Sequence, residues 1–171
     1  MGYVHDTAMS QWIPPTLAHL VTGTWTHSAG AVANTIALKK AQANETATVT
    51  IPIPLPSNSA SYKGSKLVSI DIYWETLTLA LDALSAAIYQ VVLPANGDAI
   101  AAPTSLAFSY DAGHDTAGER LTLDQHKMTL TLTAPKWIDN DDVIQVQLSV
   151  DAGATSDFYL LGARANYTLR V

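Results

Sequence analysis

The sequence contains no cysteine. Disulfides and thiolate metal sites are therefore excluded, and the fold must be held by packing and backbone hydrogen bonds. Charge is also scarce: 14% of the 171 residues are charged, 9 Lys and Arg against 15 Asp and Glu, for a formal net charge of −6. Lys39 and Lys40 are the only adjacent basic pair. No basic stripe is available to neutralise phosphates, so nucleic acid is not an expected partner. A freely soluble monomer usually carries about a quarter or more of its surface as charged residues. The shortfall implies either surface covered by other chains or a sheet surface clothed in threonine.

Long apolar runs are missing too. Nothing approaches the roughly 18 uninterrupted apolar residues of a membrane-spanning helix. The start, MGYVHDTAMSQWIPP, has no basic region followed by an apolar one, so Sec-type delivery is not expected. Glycine-rich phosphate loops, a G-x-S-x-G elbow and a pair of histidines at zinc-helix spacing are all absent.

What the sequence does have is alternation. The chain can bury roughly two-thirds of its unfolded surface, enough for one core. Clear period-2 patterns run through ETATVTIPIPL (45–55), KLVSIDIYWETLTL (66–79), KMTLTLTAPKW (127–137) and DVIQVQLSVD (142–151), with weaker ones at 24–28, 32–41 and 104–110. In the second, Val68, Ile70, Ile72, Trp74 and Thr76 share the apolar side. LALDALSAA, 79–87, has apolar residues at helical spacing, but it lies between two strand signals without a cap. A turn around Asp82 and a returning strand from about Leu84 to Leu93 fit better. Asn96–Gly97 suits a tight turn, 111–126 reads as a long polar loop, and 156–171 as a strand bent near Gly162. Eight to ten strands with little helix predict an all-β fold, an antiparallel β-sandwich of jelly-roll type. Residues 1–22 show no strand period and are expected as an N-terminal arm, with 23–171 as a single sandwich domain.

Pro52, Pro54 and Pro56 alternate with Ile51, Ile53 and Leu55. A central strand cannot spare those N–H groups, so this stretch is expected at a sheet edge or lifting away from it. The arm residues Tyr3, Trp12, Ile13 and Leu17, with Ile51, Ile53 and Leu55, are candidate subunit contacts. A homo-oligomer, preferably a trimer, would bury them.

Chemistry-bearing groups are few. Asp139, Asp141 and Asp142 on a turn are candidate calcium ligands, although Asx turns use the same residues. Asp111, His114, Asp115, Glu119, Asp124 and His126 are a candidate metal or acid–base cluster without recurrent spacing. Trp12, Trp25, Trp74 and Trp137 with Tyr62, Tyr73, Tyr89, Tyr110, Tyr159 and Tyr167 are enough aromatic side chains to form a saccharide platform.

The run KLVSIDIYWETLTLALDALSAAIYQVVLPANG, the segment YDAGHDTAGERLTLDQHKMTLTLTAPKWIDNDD and the closing LLGARANYTLRV resemble uncharacterised proteins found among bacteriophage structural genes. The resemblance implies a non-enzymatic virion component, such as a capsid decoration protein with a capsid protein as partner, made in the cytoplasm without a signal peptide. No functional residue carries over, because these proteins have no diagnostic motif. The alternative expectation is a carbohydrate-binding or receptor-binding β-sandwich module with exposed Trp or Tyr.

Overall fold

Alternating apolar residues can bury one face of a strand only against a second sheet, and the chain folds accordingly. The computed structural model describes residues 5–30, 35–56, 64–94 and 98–170. Among these are β1 (Asp6–Ile13), β2 (His19–Thr22), β3 (Trp25–Ala29), β4 (Ile36–Lys40), β5 (Thr46–Ile53), β6 (Ser65–Leu77) and β7 (Ala83–Val92). They are followed by β8 (Thr104–Leu106), β9 (Phe108–Tyr110), the short helix α1 (Ala117–Leu121), β10 (Gln125–Trp137), β11 (Asp142–Asp151) and β12 (Asp157–Arg170). Asn96–Gly97 lies outside the described residues.

One sheet runs β3-β4-β12-β6-β10-β9, with β1 also paired to β12; the other runs β2-β5-β11-β7-β8. The pairs are nested: β4 with β12, β5 with β11, β6 with β10 and β7 with β8. This is one long antiparallel hairpin rolled so that alternate pairs fall in alternate sheets, the jelly-roll arrangement.

The core is the sum of the inward parities. Ala47, Val49, Ile51 and Ile53 of β5 and Ile144, Val146, Leu148 and Val150 of β11 face Ile70, Ile72 and Trp74 of β6, Met128, Leu130 and Leu132 of β10, and Phe158 and Leu160 of β12. Each large buried side chain contributes about 1.5–3 kcal/mol. Two irregularities interrupt the parity. In the β6–β12 ladder the register passes from Ser69–Asn166 to Leu67–Tyr167, skipping Val68. That bulge turns Leu67 inward and leaves Val68 half-buried, against the expected parity. A second bulge skips Leu161 and places Gly162 opposite Tyr73, the bend expected there.

The expected arm is instead part of both sheets. β1 pairs along its whole length with β12, from Asp6–Arg170 to Ile13–Ala163, and β2 pairs with β5. Its sequence shows no strand period because β1 is exposed for six of its eight residues, with only its last, Ile13, fully buried. Ile13, Ile51 and Ile53 are thus core residues and cannot serve as subunit contacts. Trp12 and Leu17 are exposed, and Leu55 packs partly buried against the core. Tyr3 lies outside the described residues.

The prolines fall where expected. β2 pairs with β5 from Thr48 to Thr50 and no further toward Pro52, so among the described residues Pro52 occupies a stretch of β5 flanked only by β11. Pro54 and Pro56 come after the strand has ended. Residues 79–87 contain no helix, and β7 returns at Ala83. The long polar loop does hold helix α1, started by a capping box in which Thr116 and Glu119 exchange side-chain and backbone bonds.

Candidate functional site

β1 carries Trp12 on the outward side of the larger sheet, because Ile13 beside it points into the core. Its cross-strand partner is Arg164, whose own partner on β6 is Asp71, opposite Thr129 on β10. One rung of four strands therefore presents an indole, a guanidinium, a carboxylate and a hydroxyl on one face.

The bulge at Leu161 shapes the place where the indole lies. Gly162 has φ +141°, and a Cβ there would come within 2.6 Å of Trp12 Cζ2 and 2.7 Å of the Ile13 carbonyl oxygen. Only glycine fits both the backbone and the ring. Tyr73 supports the indole from the side, its ring centroid 5.4 Å away at 60°. The Arg164 guanidinium sits 5.5 Å from the same Tyr73 centroid. Trp12 nonetheless remains 47% exposed, whereas Trp25 and Trp74 are 7% and 1% exposed. Trp137 is half-buried between Arg170 and Lys66, at 4.6 and 5.7 Å. Trp12 also borders an open cleft of about 440 Å³, with Pro14, Pro15, Thr35, Ile36 and Leu161.

Asp71 is the carboxylate of this rung, and it is already engaged. Its Oδ1 accepts from Thr129 Oγ1 at 2.8 Å, and Oδ2 meets Lys127 Nζ at 3.4 Å and Tyr73 OH at 3.5 Å. Buried among these three neighbours, it helps position the tyrosine ring and the lysine. Asn166, bonded to Ser69 Oγ at 3.2 Å, extends the polar surface by one rung.

The structure brings together three of the six groups in the 111–126 segment. Asp111 Oδ1 accepts from His114 Nδ1 at 2.8 Å and from Gly113 N at 3.0 Å, and Oδ2 from Thr129 N at 2.5 Å. His114 Nε2 then meets His126 Nδ1 at 3.2 Å, and His126 Nε2 lies 3.0 Å from the Thr122 carbonyl. The His126 ring stacks on Trp74 at 4.6 Å and 10°. All four ring nitrogens are spent on protein groups, leaving none for a substrate or metal. This cluster is a clasp between the loop, β10 and β6. Burial by itself would raise the Asp111 carboxyl, but the bonds from Thr129, His114 and Gly113 outweigh it and hold the group below its ordinary range. Glu119 serves the helix cap, Asp124 accepts from Gln125 N, and Asp115 is exposed.

The expected calcium ligands do not converge. Asp142 accepts from Asp139 N at 3.0 Å and from Gln90, closing the turn before β11, while Asp139 and Asp141 are exposed. Among the described residues no group of three or more His, Asp or Glu is placed to hold a metal ion. The sequence raised Trp12 as a subunit contact and as one of the aromatic residues that could form a saccharide platform, and missed Arg164, Asp71 and the part Gly162 plays. Their meeting depends on β1 pairing with β12 about 150 residues away, which no local pattern encodes.

No protein-family model matches the chain, and no curated protein matches it. Among solved structures, one described as explaining the promiscuous specificity of carbohydrate-binding modules of the β-sandwich superfamily is 14% identical, over 92% of this chain and 55% of its own, with a TM-score of 0.41. The family 32 carbohydrate-binding module of C. perfringens NanJ, in complex with galactose, is 9% identical over 92% and 99%, TM-score 0.36. The enzymatically active domain of bacteriophage CBA120 tailspike protein 4 is 6% identical over 95% and 19%, TM-score 0.40. The chain thus spans about half of the first and a fifth of the third. At these scores the likenesses carry no argument about function.

Proposed function

We propose that this sandwich is a non-catalytic carbohydrate-binding module and that Trp12 is its platform. The observation that supports it is the half-exposed indole lying on Gly162 and braced by Tyr73. A pyranose ring presents an apolar C–H face to such a ring and hydroxyls to its surroundings, here Arg164, Asn166 and Lys127. A preset ring avoids the ordering cost that a mobile one would pay on binding. Glycoside hydrolysis by the usual route needs two carboxyl groups flanking the bond; the carboxylate on this rung is Asp71, already engaged by Thr129, Tyr73 and Lys127.

The reading of a phage-particle component rests on the sequence resemblance alone, and the two are separated by what the chain binds. A glycan array probed with the wild-type chain and with Trp12→Ala tests the proposal. Saturable binding to one class of saccharide, weakened at least about tenfold by the substitution, is expected of a central aromatic anchor. Binding to preassembled capsids with no saccharide captured would replace this reading with the particle one.

A further inference from the structure

We infer that the Trp12–Tyr73–Arg164 platform takes an acidic saccharide, one whose sugar carries a carboxylate. This rests on the glycan-binding reading of the same platform and names its ligand class.

The chain has three arginines. Arg170 is paired with Asp6 at 2.8 Å, and Arg120 donates to the carbonyls of His114 and Asp115 at 2.6 and 3.3 Å. Arg164 differs from both. Its guanidinium is half-buried over Tyr73, and among the described residues it has neither a hydrogen-bond acceptor nor a carboxylate within ion-pair distance. The nearest candidate in register, Asp71, directs its oxygens to Thr129, Tyr73 and Lys127.

The cations of this face are Arg164 and Lys127 and its carboxylates Asp71 and Glu75; Asp71 is taken up by Thr129, Tyr73 and Lys127, and Glu75 lies buried further along β6. A guanidinium is a planar fork of N–H donors that matches a carboxylate with two parallel bonds. The contact over the Tyr73 ring uses none of the guanidinium's N–H groups as hydrogen-bond donors to an oxygen. With the sugar ring on Trp12, a ring carboxylate reaching the guanidinium would supply the acceptor Arg164 lacks. A neutral sugar offers only hydroxyls, which leave the cation unmatched. Uronates and sialosides share the required chemistry and differ in where the carboxylate is attached.

Calorimetric titrations with a 1,4-linked galacturonate trisaccharide, its carboxyl-reduced counterpart and 3′-sialyllactose test the inference on wild-type protein, Arg164→Gln and Arg164→Lys. At least one acid is expected to bind roughly ten- to a hundredfold more tightly than the reduced trisaccharide, the worth of a charge-assisted pair. The acid that does so identifies the source. Arg164→Gln should abolish the preference while sparing the binding of the reduced sugar, and Arg164→Lys should keep part of it, since the charge stays but the fork is lost. If Arg164→Gln does not fold, judged by circular dichroism, the lysine variant carries the comparison. Equal affinity for acids and reduced sugar, or a preference that survives Arg164→Gln undiminished, overturns the inference and leaves the glycan reading intact. Binding of no saccharide by the wild type overturns the glycan reading itself.

Discussion

The indole of Trp12 occupies the space that a Cβ on Gly162 would fill, 2.6 Å from Cζ2. Two residues about 150 positions apart are thereby fitted to each other, one by having a large ring and the other by having no side chain. Gly162→Ala should therefore do two things at once. It should cost about 1–3 kcal/mol, since φ +141° is strained for any other residue, and it should push the indole off its seat. Urea denaturation of Gly162→Ala, Trp12→Ala and the double variant measures both. The double variant is expected to be less destabilised than the sum of the single ones, because removing the ring relieves the clash while the backbone strain stays. Strict additivity would show that the ring and the glycine are independent.

Removing residues 1–22 should damage the fold itself. The deletion strips β1 from β12 and β2 from β5, and it takes away the fully buried Ile13. The single substitution Ile13→Ala is expected to cost about 2–5 kcal/mol, the range for emptying an aliphatic core site. Denaturant titration checks this. A truncated chain as stable as the full one would mean that the segment is a dispensable arm.

The acid limb of stability should depend on Asp111. Its carboxyl is held below its ordinary value of 3.8, so it binds its proton more weakly folded than unfolded. The stabilisation is then fully present above the unfolded value and is lost as pH falls through the lower folded one. The gap in unfolding free energy between wild type and Asp111→Asn is expected to be constant near neutrality and to shrink as the pH drops below about 4. Stability measured at a series of pH values decides it; a gap that widened in acid would reverse the sign and refute the clasp as drawn.

The jelly roll was legible in the sequence wherever one face of a strand is buried and the other wet. β5, β10 and β11 alternate almost without error, and the bend at Gly162 was visible as a glycine in a strand. What the sequence hid were elements whose partners are remote. β1 shows no pattern because most of it faces water, so its membership in the sheet comes from backbone pairing with β12 and not from side-chain burial. Val68 was assigned to the core because alternation counts residues, and a bulge inserts one that the count does not register. The aspartates at 139–142 looked like ligands because turn closure and calcium binding draw on the same oxygen atoms. Trp12 was recognised as an anchor without a strand, but its neighbours Arg164, Tyr73 and Gly162 could be joined to it only once the β1–β12–β6 register was known.

Arg164 should matter little to stability. Its contact with Tyr73 is a cation–π interaction at a partly exposed site, worth about 0.5–1 kcal/mol, and it has no ion pair to lose. Thermal melting of Arg164→Gln is expected to fall within a few degrees of wild type. A large drop would show that the guanidinium is a structural brace.

The four tryptophans give four indole N–H signals in a proton–nitrogen correlation spectrum, and Trp12→Phe identifies the one that belongs to the platform. Adding saccharides to the labelled protein then reads the site itself. If Trp12 is the seat of a sugar ring, its signal moves saturably with one class of saccharide while those of the buried Trp25 and Trp74 stay in place. A saccharide that binds while leaving the Trp12 signal unmoved, or a spectrum that no saccharide perturbs, would contradict the platform.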